Sequence, residues 1–144
     1  MRRTGAGRFA VEVGPRLRDR VITLGAGHRR SGTVPVSLSV EALPGRQRWT
    51  RTIDGRRVTT TLAWRDGTVV ERLGPLALTF AAAPTADGAV LRLERAALAR
   101  VRLPPRSVPA VTCTTAVGPG GLAVRVEVRS QHGHRILAYG GTLT

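Results

Sequence analysis

The sequence predicts a mainly β protein: an antiparallel meander of about ten strands, curved into an open or partly closed barrel-like sheet, with one short N-terminal helix. Three observations carry that prediction. Apolar and polar residues alternate almost without a break from Arg46 to Thr144. Asp-Gly and Gly-Gly pairs punctuate the alternation. One early segment has helical spacing instead. A period of two puts successive side chains on opposite faces, so each segment reads as a strand with one wet and one dry face.

The elements follow in order. Phe9-Ala-Val11-Glu-Val13 reads as a first strand, ended by Gly14-Pro15. Pro15 suits the first position of a helix. Leu17, Val21 and Leu24 then form one apolar stripe, and Gly25 is placed as a stop, so a helix is expected near residues 15–25. Its stripe would be buried on the concave face of the sheet. Val34, Val36, Leu38 and Val40 share one face of the next strand, and Pro44-Gly45 turns the chain. Asp54-Gly55, Asp66-Gly67 and Asp87-Gly88 are strong hairpin signals. With Gly74-Pro75 they place strands near 46–53, 57–65, 68–73, 76–83 and 89–95. Pro104, Pro105 and Pro109 stiffen a connection. Strands near 110–117, 122–130 and 135–143 complete the chain, the first two joined by a Gly118-Pro-Gly-Gly121 loop.

The whole chain, 1–144, reads as a single domain. Its aromatic residues are Phe9, Trp49, Trp64, Phe80 and Tyr139 alone, so the interior must be packed mainly with Val, Leu and Ala. The 23 basic residues are all Arg against 9 acidic ones, a formal +14. Lys and Asn are absent, a pattern of GC-rich codon use, so the choice of Arg over Lys says little about function. The excess still sets a positive field around the molecule. Cys113 is the only cysteine, which excludes an internal disulfide, and its register with Val111 and Val117 reads as a buried thiol. Met1 to Arg8 carries charge with no apolar stretch behind it, and Leu73–Ala83 is too short to span a bilayer. A cytoplasmic protein without a membrane span is expected.

Several landmarks resemble a known family. They are Gly7-Arg8-Phe9-Ala10-Val11-Glu12-Val13-Gly14, Trp49-Thr-Arg51-Thr-Ile53-Asp-Gly55, Glu71-Arg72-Leu73-Gly74-Pro75-Leu76, Leu103-Pro104 and Tyr139-Gly-Gly141-Thr-Leu143. In order and spacing they are similar to the bacterial domain of unknown function DUF4166, over nearly the whole chain. The resemblance implies no assigned activity. It implies an actinobacterial setting and, from fusions in the family, a partnership with an NAD(P)-dependent oxidoreductase. It also implies a helical segment upstream of the first strand, and a departure from the family is expected there, with the usual upstream segment lacking. Val126-Glu-Val128 stands where the family carries F-D-V.

No catalytic constellation emerges. Asp54, Asp66 and Asp87 belong to turns, and Glu41, Glu94 and Glu127 lie on polar strand faces beside Arg residues. Glu12, Asp19 and Glu71 remain, and spacing alone pairs none of them. His132 and His134 sit in a turn with no Cys or carboxylate nearby, short of a four-ligand metal set. Neither a metal nor a cofactor is expected. The positive charge meets the electrostatic criterion for nucleic acid, but aromatic stacking platforms and a recognition helix are missing, so specific nucleic-acid recognition is not expected.

Arg51 is the sharpest candidate. It shares a strand face with Trp49 and Ile53, so it is either half-buried and paired or lines a cavity. As a structural residue it would pair with Glu71 or Glu12. As a functional one it would anchor an anionic head group. The function expected is a non-catalytic binding module for a small apolar or amphipathic ligand, lined by Trp49, Arg51, Trp64, Glu71 and Glu12. The alternative is an accessory domain of a separate oxidoreductase, marked by an exposed apolar patch in place of a cavity. An enzyme in its own right ranks last.

Overall fold

The structure, a computed structural model, describes residues 1–16 and 31–144. Its strands are β1 (Arg2–Val13), β2 (Gly32–Leu43), β3 (Arg46–Ile53), β4 (Arg56–Arg65), β5 (Thr68–Leu73), β6 (Leu76–Pro84), β7 (Gly88–Leu98), β8 (Val101–Arg102), β9 (Ala110–Gly118), β10 (Gly121–Arg129) and β11 (Arg135–Leu143). A single 3-10 turn, Pro105–Ser107, precedes β9.

Every ladder is antiparallel. Strands β1 to β7 pair in sequence, β7 pairs onward with β9, and β10 and β11 follow. β11 then returns to β1, from Phe9↔Gly141 to Val13↔Leu137. The sheet is therefore a closed ten-stranded barrel, with β8 a two-residue spur folded back on β7. The open or partly closed sheet expected from the sequence is corrected to full closure. An open sheet would leave two rows of unpaired N–H and C=O groups, and a twisted sheet of this many strands removes them by closing.

β1 begins at Arg2, well before the expected Phe9, because its glycine- and arginine-rich start pairs with β2 from Arg2↔Glu41 onward. The helix expected near residues 15–25 falls almost wholly outside the described residues. Pro15 and Arg16 form a bend, and no α-helix occurs among the residues described. The β1–β11 ladder holds the chain extended up to that bend, with the Gly14 N–H donating to the Ile136 carbonyl at 2.7 Å.

Two Asp-Gly pairs act as read. Asp54 and Gly55 have φ of 48° and 80°, and Asp66 and Gly67 have 44° and 76°. Left-handed backbone at both central positions is the tight hairpin turn whose twist matches the strands. Asp87-Gly88 also closes a hairpin, β6–β7, with the Thr85 N–H donating to the Gly88 carbonyl at 3.0 Å, but without left-handed backbone. A Cβ on Gly88 would sit 1.8 Å from the Thr115 carbonyl oxygen, so this glycine lets β7 cross close against β9.

The strand faces sort cleanly. Phe9, Val11, Val36, Leu38, Ile53, Val126, Leu137 and Leu143 form one apolar cluster inside the barrel, and Leu62, Val69 and Phe80 form a second. Trp49 and Val111 pack against both. The opposite parity puts Arg8, Ser37, Thr50, Arg57 and Thr59 outside. A membrane-spanning barrel presents an apolar band there. No helix among the described residues is long and apolar enough to cross a membrane.

Candidate functional site

The apolar lining is broken at one place. β3 turns Trp49, Arg51 and Ile53 inward, β4 turns Thr60 inward, and β5 turns Val69 and Glu71 inward. Arg51 Nη2 donates to Glu71 Oε1 at 2.9 Å and Nη1 donates to Thr60 Oγ1 at 3.3 Å. The guanidinium lies 5.6 Å from the centre of the Trp49 ring, within range of a cation–π contact. Trp49 is held in turn by its Nε1 donating to Gln47 Oε1 at 2.9 Å. Of Glu12 and Glu71, the structure brings Glu71 to Arg51.

The electrostatics show which wall Arg51 faces. Burial works against its cation, but the Glu71 carboxylate outweighs it, with help from Tyr139 and Cys113, so the guanidinium pKa stands above its ordinary value. Burial pushes the Tyr139 hydroxyl up to about 12 and the Cys113 thiol up to about 11, each partly offset by the Arg51 charge. Tyr139 comes from β11 and Cys113 from β9, so the polar cluster spans the interior from the β3–β5 wall to the β9–β11 wall. Tyr139 also stacks on Phe9, with ring centres 6.3 Å apart.

This interior is not packed solid. The side chains of Arg51 and Glu71 keep 26% and 17% of their surface accessible although both point inward. Inward-facing Trp49, Val111, Cys113, Val124 and Tyr139 are likewise only partly buried. Among the described residues Arg51 uses two of its five N–H donors, and Glu71 Oε2 accepts no hydrogen bond. The arrangement presents a cation, a carboxylate oxygen and a phenol to an interior otherwise lined mainly by aliphatic and aromatic groups.

Such a set can bind, but it is poorly suited to covalent catalysis. A thiol with a pKa near 11 is neutral at physiological pH and a weak nucleophile. Among the described residues no group of three His, Cys, Asp or Glu could hold a metal ion.

Two expected lining residues lie elsewhere. Glu12 is on the outer face of β1, where it accepts from Arg135 Nη1 at 2.8 Å. Trp64 has the inward parity of β4 but sits at the rim beside the Asp66-Gly67 turn, 55% exposed. Sequence reasoning missed Thr60 and Tyr139. Tyr139 shares its parity with Leu137 and Leu143, a usable signal, but its position opposite Arg51 depends on which strands face each other across the barrel. His134 lies in the β10–β11 loop, with Ser130 Oγ 2.6 Å from its Nδ1.

The pattern of a domain of unknown function, DUF4166, matches residues 2–143. The chain belongs to the DUF4166 family. No curated protein and no solved structure matches it. The match takes in both DUF4166-like segments that carry the ion pair, Trp49–Gly55 and Glu71–Leu76, and the Tyr139–Leu143 ending on the facing wall.

Proposed function

We propose that this DUF4166 chain is a non-catalytic binding module whose lumen takes one small amphipathic ligand. The polar head would meet Arg51, Glu71 and Tyr139, and the apolar body would lie along the Val and Leu walls. The observation that carries this reading is Arg51. It is a cation deep inside an apolar barrel, it keeps accessible surface, and three of its N–H donors are unused among the described residues. Ligand sites are mostly apolar cavities with a few fixed polar groups, and this interior has that composition.

Anilinonaphthalene sulfonate, an anionic amphiphile, is a suitable probe. Titrated into the native chain it should bind saturably at one site, with a blue-shifted emission. The Arg51→Gln/Glu71→Gln double variant removes both charges together and leaves neither stranded, so it should keep the fold and weaken binding tenfold or more. Absence of saturable binding to the native chain, or equal affinity in the folded double variant, would sink the reading. Native mass spectrometry of the purified protein would then identify any ligand it carries.

A further inference from the structure

A second polar feature lies on the outer wall, away from the lumen. A recess of about 480 Å³ crosses the outer faces of β1 to β4, but hydroxyl groups dominate its lining. A smaller one, about 220 Å³, is lined by Ala77 and Thr79 of β6, Arg95, Ala96 and Ala97 of β7, and Arg100 and Arg102. Its floor is small side chains, and its walls carry three guanidinium groups. None of Arg95, Arg100 and Arg102 has an ion pair or a side-chain hydrogen bond among the described residues. Arg8, Arg46 and Arg65 likewise have no such partner among the described residues, so what sets these three apart is that they line one recess together. No carboxylate lines this recess.

The backbone that brings the three together is strained. The turn between β7 and β8 has Ala99 at φ 48° and Arg100 at φ 68°. Left-handed backbone at both positions ordinarily calls for Asn-Gly or Asp-Gly, as the Asp54-Gly55 turn of this chain illustrates. Ala and Arg pay a steric penalty there. The tight turn lets the two-residue β8 fold back, with Ala97 opposite Arg102, and that pairing sets Arg102 beside the Arg95 face of β7. Strain held in a turn that gathers three like charges is the kind of feature found at ligand sites. Guanidinium groups suit a tetrahedral oxyanion because their forked donors match its oxygens.

We infer that Arg95, Arg100 and Arg102 form an outer-wall site for a phosphate group, with the Thr79 hydroxyl on its floor. The site is independent of the lumen.

Inorganic phosphate titrated into the full chain by calorimetry, at constant ionic strength, tests this. One saturable site is expected. The Arg95→Gln/Arg100→Gln/Arg102→Gln variant should weaken it at least tenfold. A control variant, Arg8→Gln/Arg46→Gln/Arg65→Gln, loses the same charge at exposed positions elsewhere and should bind as the native chain does. No saturable site, or equal weakening in both variants, would overturn the assignment in favour of general charge attraction. If the triple variant does not fold, Arg102→Glu alone should abolish binding, and binding retained there also overturns it. Glycerol phosphate and vesicles containing phosphatidic acid then separate a soluble phosphate monoester from a lipid headgroup.

Discussion

At the scale of single residues, the Arg51–Glu71 pair dominates. Its Nη2–Oε1 distance of 2.9 Å and its inward position make each charge depend on the other. Removing one partner of an enclosed pair strands the other charge, at a cost of about 3–5 kcal/mol when burial is complete. The lumen-facing surface of both side chains lowers that here. Arg51→Ala and Glu71→Ala should each destabilise by roughly 2–3 kcal/mol in urea unfolding. The double variant should cost clearly less than the sum, because the two changes share one interaction. Additive losses would mean that the pair contributes no coupling.

Tyr139 and Cys113 make a second residue-scale prediction. Both prefer their neutral forms in the fold, with pKa values raised from 10.0 to about 12 and from 9.0 to about 11. Once the unfolded chain begins to lose these protons and the folded chain still holds them, unfolding is favoured. Their contribution is therefore fully present below pH 9 and is lost as pH climbs toward 12. Stability should be flat from pH 7 to 9 and fall above it. Tyr139→Phe/Cys113→Ala should flatten that alkaline slope in denaturant titrations at several pH values. An unchanged slope would assign the loss to other groups.

At the scale of elements, the strands reach their places through close approaches as well as through alternation. Gly88 lets β7 pass within contact of the Thr115 carbonyl on β9. Gly141 does the same for the Phe9 ring, which a Cβ would meet at 2.5 Å. Gly88→Ala should cost about 3 kcal/mol in urea unfolding, since the atom it meets is backbone and the ladder must shift. Gly118→Ala is the control, with no atom within 4 Å of its Cβ, and should change stability by less than about 0.5 kcal/mol. Equal effects would show that β7 and β9 can slide apart freely.

At the scale of the whole molecule, closure puts the aliphatic residues inside and leaves most Arg residues outside, so the formal +14 becomes a field around the barrel. That field should give polyanions a weak, sequence-independent affinity that falls steeply with salt, as bound counterions are released. Filter binding of unrelated duplexes between low and physiological salt checks this. A strong preference for one sequence at physiological salt would contradict it. The phosphate site inferred on β6–β8 differs in kind, because it should persist at constant ionic strength.

The sequence by itself determined what depends on near neighbours along the chain. Alternation placed β3, β5 and β11 at their observed ends, and two Asp-Gly pairs marked their turns, because side-chain parity and left-handed backbone are local properties. The same parity put Arg51 on the Trp49 face and made Glu71 a candidate partner. Other features were illegible for a physical reason. The start of β1 has almost no apolar alternation, and only its ladder to β2 makes it a strand. Ala99-Arg100 carries no turn signature, so β8 and the arginine recess stayed hidden. Glu12 is different: its alternation with Phe9, Val11 and Val13 already marked it as outward, and its pairing with Arg135 agrees with that parity. Tertiary structure alone decided that β7 passes on to β9, that β11 returns to β1, and that Tyr139 and Cys113 face Arg51. Those contacts join residues far apart in sequence, and closure of the barrel selects them.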